Sequence, residues 1–151
     1  MIQIIPFSEK LRSHIKTLNY EWLENYFQVE PNDVIQLSDP ENEIIAKGGL
    51  IFYATWNDSV VGTYTLLRIN ETTSELGKMA VSSKARGLGV GNALMQHCIE
   101  TAKALGVQKL ILFSNTKLEP AIHLYRKYGF TETEFEKGHY KRSDIKMEKL
   151  L

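Results

Sequence analysis

Cysteine is nearly missing from this chain: Cys98 is the one thiol in 151 residues, which excludes an intramolecular disulfide and a thiolate metal cluster. Net charge is missing as well. Eighteen Lys and Arg stand against eighteen Asp and Glu, so no global positive field exists to hold a nucleic-acid backbone or an acidic membrane surface, and any anion site must be local. No uninterrupted apolar run approaches the ~18 residues that a bilayer-spanning helix needs. The start, Met1-Ile2-Gln3-Ile4-Ile5-Pro6, has no basic segment followed by a long apolar stretch. A cytoplasmic protein with reduced thiols is therefore expected, without nucleic-acid or membrane partners. The four prolines are scattered rather than gathered into a linker, and there is no internal repeat or low-complexity tract, so residues 1–151 are expected to form one domain.

What is present is a globular balance, 43% hydrophobic and 24% charged, with enough length to bury a core. Ile2, Ile4 and Phe7 suggest a short first strand. Ser8 is placed to cap a helix over about 9–27, where Leu11, Ile15, Leu18, Trp22 and Tyr26 form a helical stripe. Residues 28–47, rich in Asp, Asn, Glu and Pro, show no clean period and are expected to be loop with one short helix at most. Runs 49–56 and 60–69 are β-branched and aromatic and meet across Asn57-Asp58-Ser59, the composition of a hairpin turn. A further turn at 70–72 leads into a strand over about 74–81, giving three antiparallel strands in sequence. Leu94, Cys98, Ala102 and Leu105 recur with helical spacing before Gly106, a left-handed C-cap candidate. That stripe makes Cys98 a core residue rather than a nucleophile. Leu110-Ile111-Leu112-Phe113 is the short apolar run of a strand covered on both faces, Pro120 opens a helix that Gly129 closes, and 130–135 and 145–150 add two terminal strands.

The most informative segment is Met79-Ala80-Val81-Ser82-Ser83-Lys84-Ala85-Arg86-Gly87-Leu88-Gly89-Val90-Gly91-Asn92, which sets three glycines between a strand and a helix start. Without side chains in the way, backbone N–H groups can converge on one point at the positive end of the helix dipole, beside the charge of Arg86. The plainer alternative is a flexible turn before an ordinary helix. A dinucleotide fingerprint would need a glycine where Asn92 stands, and a Walker A loop would need Gly-Lys-Ser/Thr where Gly91-Asn92-Ala93 stands, so both are disfavoured.

These residues resemble the GCN5-related N-acetyltransferases, whose acyl-CoA signature Gln/Arg-x-x-Gly-x-Gly/Ala is met by Arg86, Gly89 and Gly91. The likeness runs upstream through Glu75-Leu76-Gly77-Lys78 and downstream to Asn115 and the stretch from Ala121 to Tyr125, Gly129 and Phe130. It implies an α/β acyltransferase fold with a central mixed, mostly antiparallel seven-stranded sheet flanked by helices. It further implies an N-acetyltransferase that moves an acetyl group from acetyl-CoA to a primary amine of a small molecule or peptide by direct transfer. Rivals from other classes are a non-catalytic acyl-CoA-binding module and an interaction domain that has lost the site. Dimers are common in the family, and no feature of this sequence shows which surface would pair.

Under the resemblance the backbone of Met79, Ala80 and Val81 would hold the pantetheine arm like an added strand, and the amides of Gly87, Leu88, Gly89, Val90 and Gly91 would receive the pyrophosphate with Arg86 beside them. Tyr125 would meet the CoA sulfur as general acid; without the resemblance it is a core aromatic. Asn115 would bond the pantetheine arm or serve only as a turn residue. Glu75 is the foremost candidate for the base that deprotonates the amine, against a solvated strand start paired with Lys78. Strict alternation puts Glu75 with Gly77, Met79 and Val81, and a bulge would exchange the faces. His139 and Tyr140 are weaker base candidates. Trp22 and Tyr26, with Tyr20 and Phe27 nearby and Glu30 and Asp33 following, offer aromatic walls and carboxylates for a cationic amine; as plain structure, Trp22 and Tyr26 would be the core side of the helix and the acids solvated. No metal site is indicated.

Overall fold

The computed structural model describes residues 1–136 and 140–151. Fourteen elements follow one another: β1 (Ile2–Pro6), a 3₁₀ turn (Glu9–Leu11), α1 (Ser13–Tyr26), α2 (Pro31–Ser38), a π-helical turn (Glu41–Ile45), β2 (Leu50–Trp56), β3 (Ser59–Arg68), β4 (Thr73–Val81), a second 3₁₀ turn (Ser83–Ala85), α3 (Val90–Ala104), β5 (Lys109–Ser114), α4 (Glu119–Lys127), β6 (Thr131–Thr133) and β7 (Ile145–Leu150). The strands form one sheet in the order β1-β2-β3-β4-β5-β7-β6. Every pairing is antiparallel except β4 with β5.

The β2–β3 hairpin closes on two residues in left-handed backbone, Asn57 at φ 50° and Asp58 at φ 63°. That geometry matches the twist of the flanking strands and is tolerated by Asn and Asp better than by most residues. Along β2, side chains alternate between two helical layers. Leu50, Phe52, Ala54 and Trp56 pack with the α3 side, while Ile51 and Tyr53 pack with Ile15 of α1, Leu37 of α2 and Ile44. The α3 stripe Val90, Leu94, Met95, Cys98 and Ala102 is buried, and each large apolar side chain so covered contributes roughly 1.5–3 kcal/mol of transfer free energy. Gly62 lets α3 lie close to the sheet: a Cβ there would stand 2.8 Å from Val90 Cγ1.

One parallel pairing sets up the rest. It is only three residues long, Thr73↔Lys109, Ser74↔Leu110 and Glu75↔Ile111, after which β4 and β5 diverge while β5 continues beside β7. Beyond the split β4 carries a bulge. Thr63 of β3 pairs Ala80 and Thr65 pairs Gly77, so Lys78 and Met79 stand opposite the single Tyr64. Lys78 takes φ 51°, costly for a residue with a Cβ, and Asn19 of α1 braces it. The fully buried Asn19 donates from Nδ2 to the Lys78 carbonyl at 3.3 Å and to the Ile15 carbonyl at 2.9 Å, and its Oδ1 accepts from Trp22 Nε1 at 3.2 Å.

Three boundaries differ from the sequence expectation. The helix expected over 9–27 is a 3₁₀ turn followed by α1, and Ser8 makes no side-chain capping bond. Residues 28–47 hold α2, the one short helix allowed for there, and in addition a π-helical turn that was not expected. Pro31 fixes the first position of α2, and Glu30 and Asp33 form a reciprocal capping box, a helix start lacking an apolar period to announce it. The strand expected over 130–135 is reduced to β6, three residues on the sheet edge. Among the described residues no helix is long and apolar enough to cross a membrane.

Because Asn19 satisfies a strained main-chain carbonyl inside the protein, Asn19→Leu should destabilise the fold by about 1–3 kcal/mol, read as a lower urea midpoint. An unchanged midpoint would show that the bulge holds itself.

Candidate active-site cleft

The divergence of β4 from β5 opens a cleft of about 540 Å³ whose walls come from α1, α2, β4, β5, α4 and residues 140–143. One end lies against the start of α3. Gly87 and Gly89 sit there at φ 78° and 81°, and Gly89 is the residue from which α3 departs. A Cβ on either would meet nothing within 4 Å, so backbone angle rather than crowding demands glycine. At Gly91 the reason is different: a Cβ would lie 3.3 Å from Leu124 Cδ2, where α4 crosses close by. The first N–H groups of α3 have no intrahelical acceptors, and the helix dipole adds positive potential where Arg86, an exposed residue, also lines the cleft. This end can hold an anion.

The sequence candidates for cofactor contact fall into two groups. Met79, Ala80, Val81, Arg86, Gly91, Asn115 and Tyr125 line the cleft. Gly87, Leu88 and Gly89 are exposed on the loop that leads to it, whereas the Val90 side chain is buried in the core and leaves only its main chain to serve a ligand. Asn115 works partly on the protein itself. Its Nδ2 donates to the Arg142 carbonyl and its Oδ1 accepts from the Lys117 amide at 2.8 Å, so one N–H of the side-chain amide remains for the cleft.

Tyr125 projects from α4 with its ring edge-on to Phe130, centroids 6.2 Å apart. Burial pushes its hydroxyl up to about 12, against a smaller lowering from a hydrogen bond with Ser114. The phenol is thus held protonated at neutral pH, suited to giving a proton rather than taking one. Glu75 lines the cleft on the same face as Gly77, whose Cβ position would be 3.9 Å from Glu75 Oε2. The bulge begins after Gly77, so it leaves Glu75 and Gly77 together.

At the other end is an ion network that the sequence did not announce. Asp33, with no exposed surface, accepts from Lys78 Nζ at 2.9 Å and from Arg142 Nη1 and Nη2 at 2.7 and 2.8 Å. Burial alone would raise the Asp33 carboxyl, but Arg142 and Lys78 overcome it and hold it below the usual carboxylate range. Burial draws the Lys78 ammonium below its ordinary value, against the pull of Asp33. The Tyr140 hydroxyl accepts from Lys78 Nζ at 2.6 Å and Asn32 Nδ2 at 3.2 Å and donates to Gln36 Oε1 at 3.2 Å, which uses its one proton and both lone pairs. Burial also raises its titration point, so Tyr140 is poorly suited to act as a base.

Of the acceptor candidates, Trp22 and Tyr26 line the cleft, with Tyr26 55% exposed rather than in the core. Glu30 does not. Its carboxylate accepts from the amides of Lys141 and Arg142 at 2.8 and 3.2 Å and pairs with the Arg142 guanidinium at 3.4 Å. Asp33 is likewise engaged rather than solvated. His139 lies outside the described residues. Sequence reasoning missed Asn19, Asn32, Gln36 and Arg142. Asp33 is 45 residues from Lys78 and 109 from Arg142, so no local spacing signals the network.

The family model described as acetyltransferase (GNAT) matches residues 15–130. The N-acetyltransferase YvbK of Bacillus subtilis is 30% identical over 101 residues, 65% of this chain and 65% of that protein. Among the first curated relatives, the matched stretch spans 41–65% of the relative's own length. The fold is shared with an acetyltransferase of the GNAT family from Staphylococcus aureus MU50, at TM-score 0.88 and 23% identity over 99% of both chains. It is also shared with a GNAT family acetyltransferase from Elizabethkingia anophelis with acetyl-CoA bound, at TM-score 0.69 and 23% identity over 99% of this chain and 98% of that one.

The depressed Asp33 carboxyl stabilises the fold above the unfolded value near ~4, and that contribution is lost as pH falls through the lower folded value. Asp33→Asn should therefore cost about 3–5 kcal/mol at pH 7, where two buried cations lose their counterion, and progressively less on acidification below about pH 4. Chemical denaturation at pH 7 and pH 3 measures both; an equal loss at the two pH values would contradict the ion-pair account.

Proposed function

The chain belongs to the acetyltransferase (GNAT) family, and on that premise we propose that it transfers an acetyl group from acetyl-CoA to a primary amine of a small molecule or peptide, directly within a ternary complex. One observation carries the proposal. The β4–β5 split, the glycine-bearing start of α3 and the protonated Tyr125 hydroxyl belong to a single cleft.

The residues fit the cofactor. Past Glu75, β4 has no partner strand on its β5 side, so the main chain of Met79 to Val81 can hydrogen-bond an extended amide-bearing arm as a strand would. The N–H groups at residues 88–91, with Arg86, suit a diphosphate, and the two left-handed glycines shape the loop for it. Acetyl-CoA, when bound, supplies the thioester whose carbonyl carbon the amine attacks and whose sulfur departs.

Around that chemistry the chain holds and moves protons. The amine arrives mostly as an ammonium at pH 7, and Glu75, directly or through water, takes its proton. A backbone N–H of Met79 to Val81 donates to the acyl oxygen, where negative charge grows. Tyr125 gives its proton to the sulfur. No covalent acyl-enzyme is needed, and Cys98, fully buried in the α3 stripe with its thiol pushed up to about 12 by burial, takes no part.

Two measurements test this. In calorimetry, Gly89→Ala should weaken acetyl-CoA binding by about tenfold, because the strain of φ 81° costs an alanine roughly 1–2 kcal/mol, and Gly91→Glu should weaken it further by setting a carboxylate at the helix start. Unchanged affinity in both would remove the anion assignment. In steady-state kinetics, Tyr125→Phe should lower kcat about a hundredfold with acetyl-CoA affinity little changed, and Glu75→Gln should depress the rate most where the amine is protonated. Tight binding of acetyl-CoA with no thiol release for any amine would make the chain a binding module instead.

A further inference from the structure

Resting on the transfer reaction just proposed, one buried side chain of α1 bears on its rate. We infer that Asn19 is a positioning residue of the transfer: by holding the Lys78 carbonyl it aims the Met79 N–H, which belongs to the same peptide unit, at the acyl oxygen of the thioester.

The amides of Met79, Ala80 and Val81 are not held alike. Ala80 and Val81 sit in the β3 ladder opposite Thr63 and Gly62. Beyond them the Ser82 amide donates to the Val61 carbonyl at 2.8 Å, and the Ser83 amide donates to Glu21 Oε1 of α1 at 2.8 Å. Lys78 and Met79 fall outside the paired register, which steps from Thr63 with Ala80 to Thr65 with Gly77, and pairing with β5 has already ended at Glu75. The left-handed φ of 51° at Lys78 is strained for a residue with a side chain and persists only where its surroundings fix it. The peptide between Lys78 and Met79 is therefore the one most in need of a brace.

Asn19 supplies that brace. Its Nδ2 donates to the Lys78 carbonyl at 3.3 Å and to the Ile15 carbonyl at 2.9 Å. Its Oδ1 accepts from Trp22 Nε1 at 3.2 Å, and because an indole nitrogen only donates, that contact turns the amide nitrogen toward the two carbonyls. The side chain is fully buried and both of its N–H groups are committed, so any effect on the reaction passes through the peptide it holds. Two such effects follow. A peptide unit is rigid and planar, so fixing the Lys78 C=O also fixes the direction of the Met79 N–H. A donor on the carbonyl also polarises the unit and makes its N–H the stronger donor. A donor aimed before charge develops on the acyl oxygen needs no reorganisation at the moment of reaction.

The test binds acetyl-CoA labelled with carbon-13 at the acyl carbonyl to the full chain and reads its carbonyl stretch by difference infrared spectroscopy. Calorimetric affinity for acetyl-CoA and thiol-release kinetics with spermidine, lysine, phenethylamine and a short peptide bearing a free N-terminus accompany it. In the wild type the stretch should lie below its value in free acetyl-CoA. Asn19→Leu removes the brace outright. Asn19→Ser, which serves where the first does not fold, keeps a hydroxyl for the Ile15 carbonyl one turn back but stops short of Lys78. Either should return the band toward its free value and lower kcat about tenfold, less than the roughly hundred- to thousandfold that follows loss of a whole oxyanion donor, with acetyl-CoA affinity within about twofold of wild type. Ile44→Ala, which opens a cavity in the layer that α1 and α2 share, should lose stability yet keep the band and kcat. A wild-type band that matches free acetyl-CoA, or one that neither Asn19 variant moves, would overturn the inference while thiol release leaves the transfer reaction standing. The same losses in Ile44→Ala would trace them to instability and overturn it as well. Absence of thiol release from the wild type with every amine, alongside retained acetyl-CoA binding, would overturn the transfer reaction itself and the role of Asn19 in its rate.

Discussion

Strand β4 leaves β5 after three paired residues and then bulges against β3, and the cleft opens where the two parallel strands part. Parallel pairing lasts for three residues, then β4 takes an extra residue against β3 while β5 keeps its register with β7. The sheet thus leaves main-chain donors and acceptors facing a gap in the middle of a domain, where they would cost free energy unless a ligand or water satisfied them. Bulges commonly re-aim a strand next to a working site, and here the device is bound to the rest of the fold through one buried side chain, Asn19, which reaches the Lys78 carbonyl from α1. The left-handed backbone at Lys78 and the ammonium pairing of the same residue with Asp33 make position 78 serve twice: its main chain shapes the gap, and its side chain joins β4 to α2.

The two ends of the cleft are built from different physics. At the start of α3 the recognition surface is backbone, with glycines giving access and a helix dipole giving sign, so it suits a ligand group of fixed charge and simple shape. At the opposite end the surface is side chain: aromatic rings and a cluster of ions that neutralise one another. The cluster fastens residues 140–142 to α2 and β4, and Asp144 extends that fastening by accepting from the Thr116 amide and hydroxyl at 2.9 and 2.8 Å. Buried ion pairs of this kind add little net stability over an apolar replacement, but removing one member is costly, so their chief effect is to specify where the C-terminal segment lies.

Legibility in the sequence followed the range of the interactions involved. The hairpin turn, the α3 stripe with its Gly106 cap at φ 79°, and the glycine loop could all be inferred because each is decided by residues within a few positions of one another. The seven-stranded sheet and the family came from the same local strings, Arg86 with Gly89 and Gly91 and the run to Gly129 and Phe130. By contrast the place of the short helix within 28–47 was hidden: the capping box of α2 uses Glu30 and Asp33, two acids that look like solvated loop until their partners are known. Those partners, Lys141 and Arg142, arrive more than a hundred residues later. The same distance explains why Glu30 looked available for an amine when its carboxylate is occupied in holding the C-terminal segment.

Two tyrosines in this cleft illustrate why residue type alone did not assign roles. Tyr125 and Tyr140 are both titrated upward by burial, so both hydroxyls are protonated at neutral pH. What separates them is their hydrogen-bond capacity. Tyr140 has its proton directed to Gln36 and both lone pairs taken by Lys78 and Asn32, so donating to a substrate would mean breaking a buried bond and leaving Gln36 short. Tyr125 is paired through its hydroxyl with Ser114 on β5, the strand that borders the gap, and its ring is steadied by Phe130. Under the proposed transfer, a hydroxyl with one small partner can swing its proton toward sulfur at the moment negative charge develops there, and a serine can follow it with a rotation of its own hydroxyl. Neighbours on β5 in one case and on β4 and α2 in the other thus separate two hydroxyls of the same type.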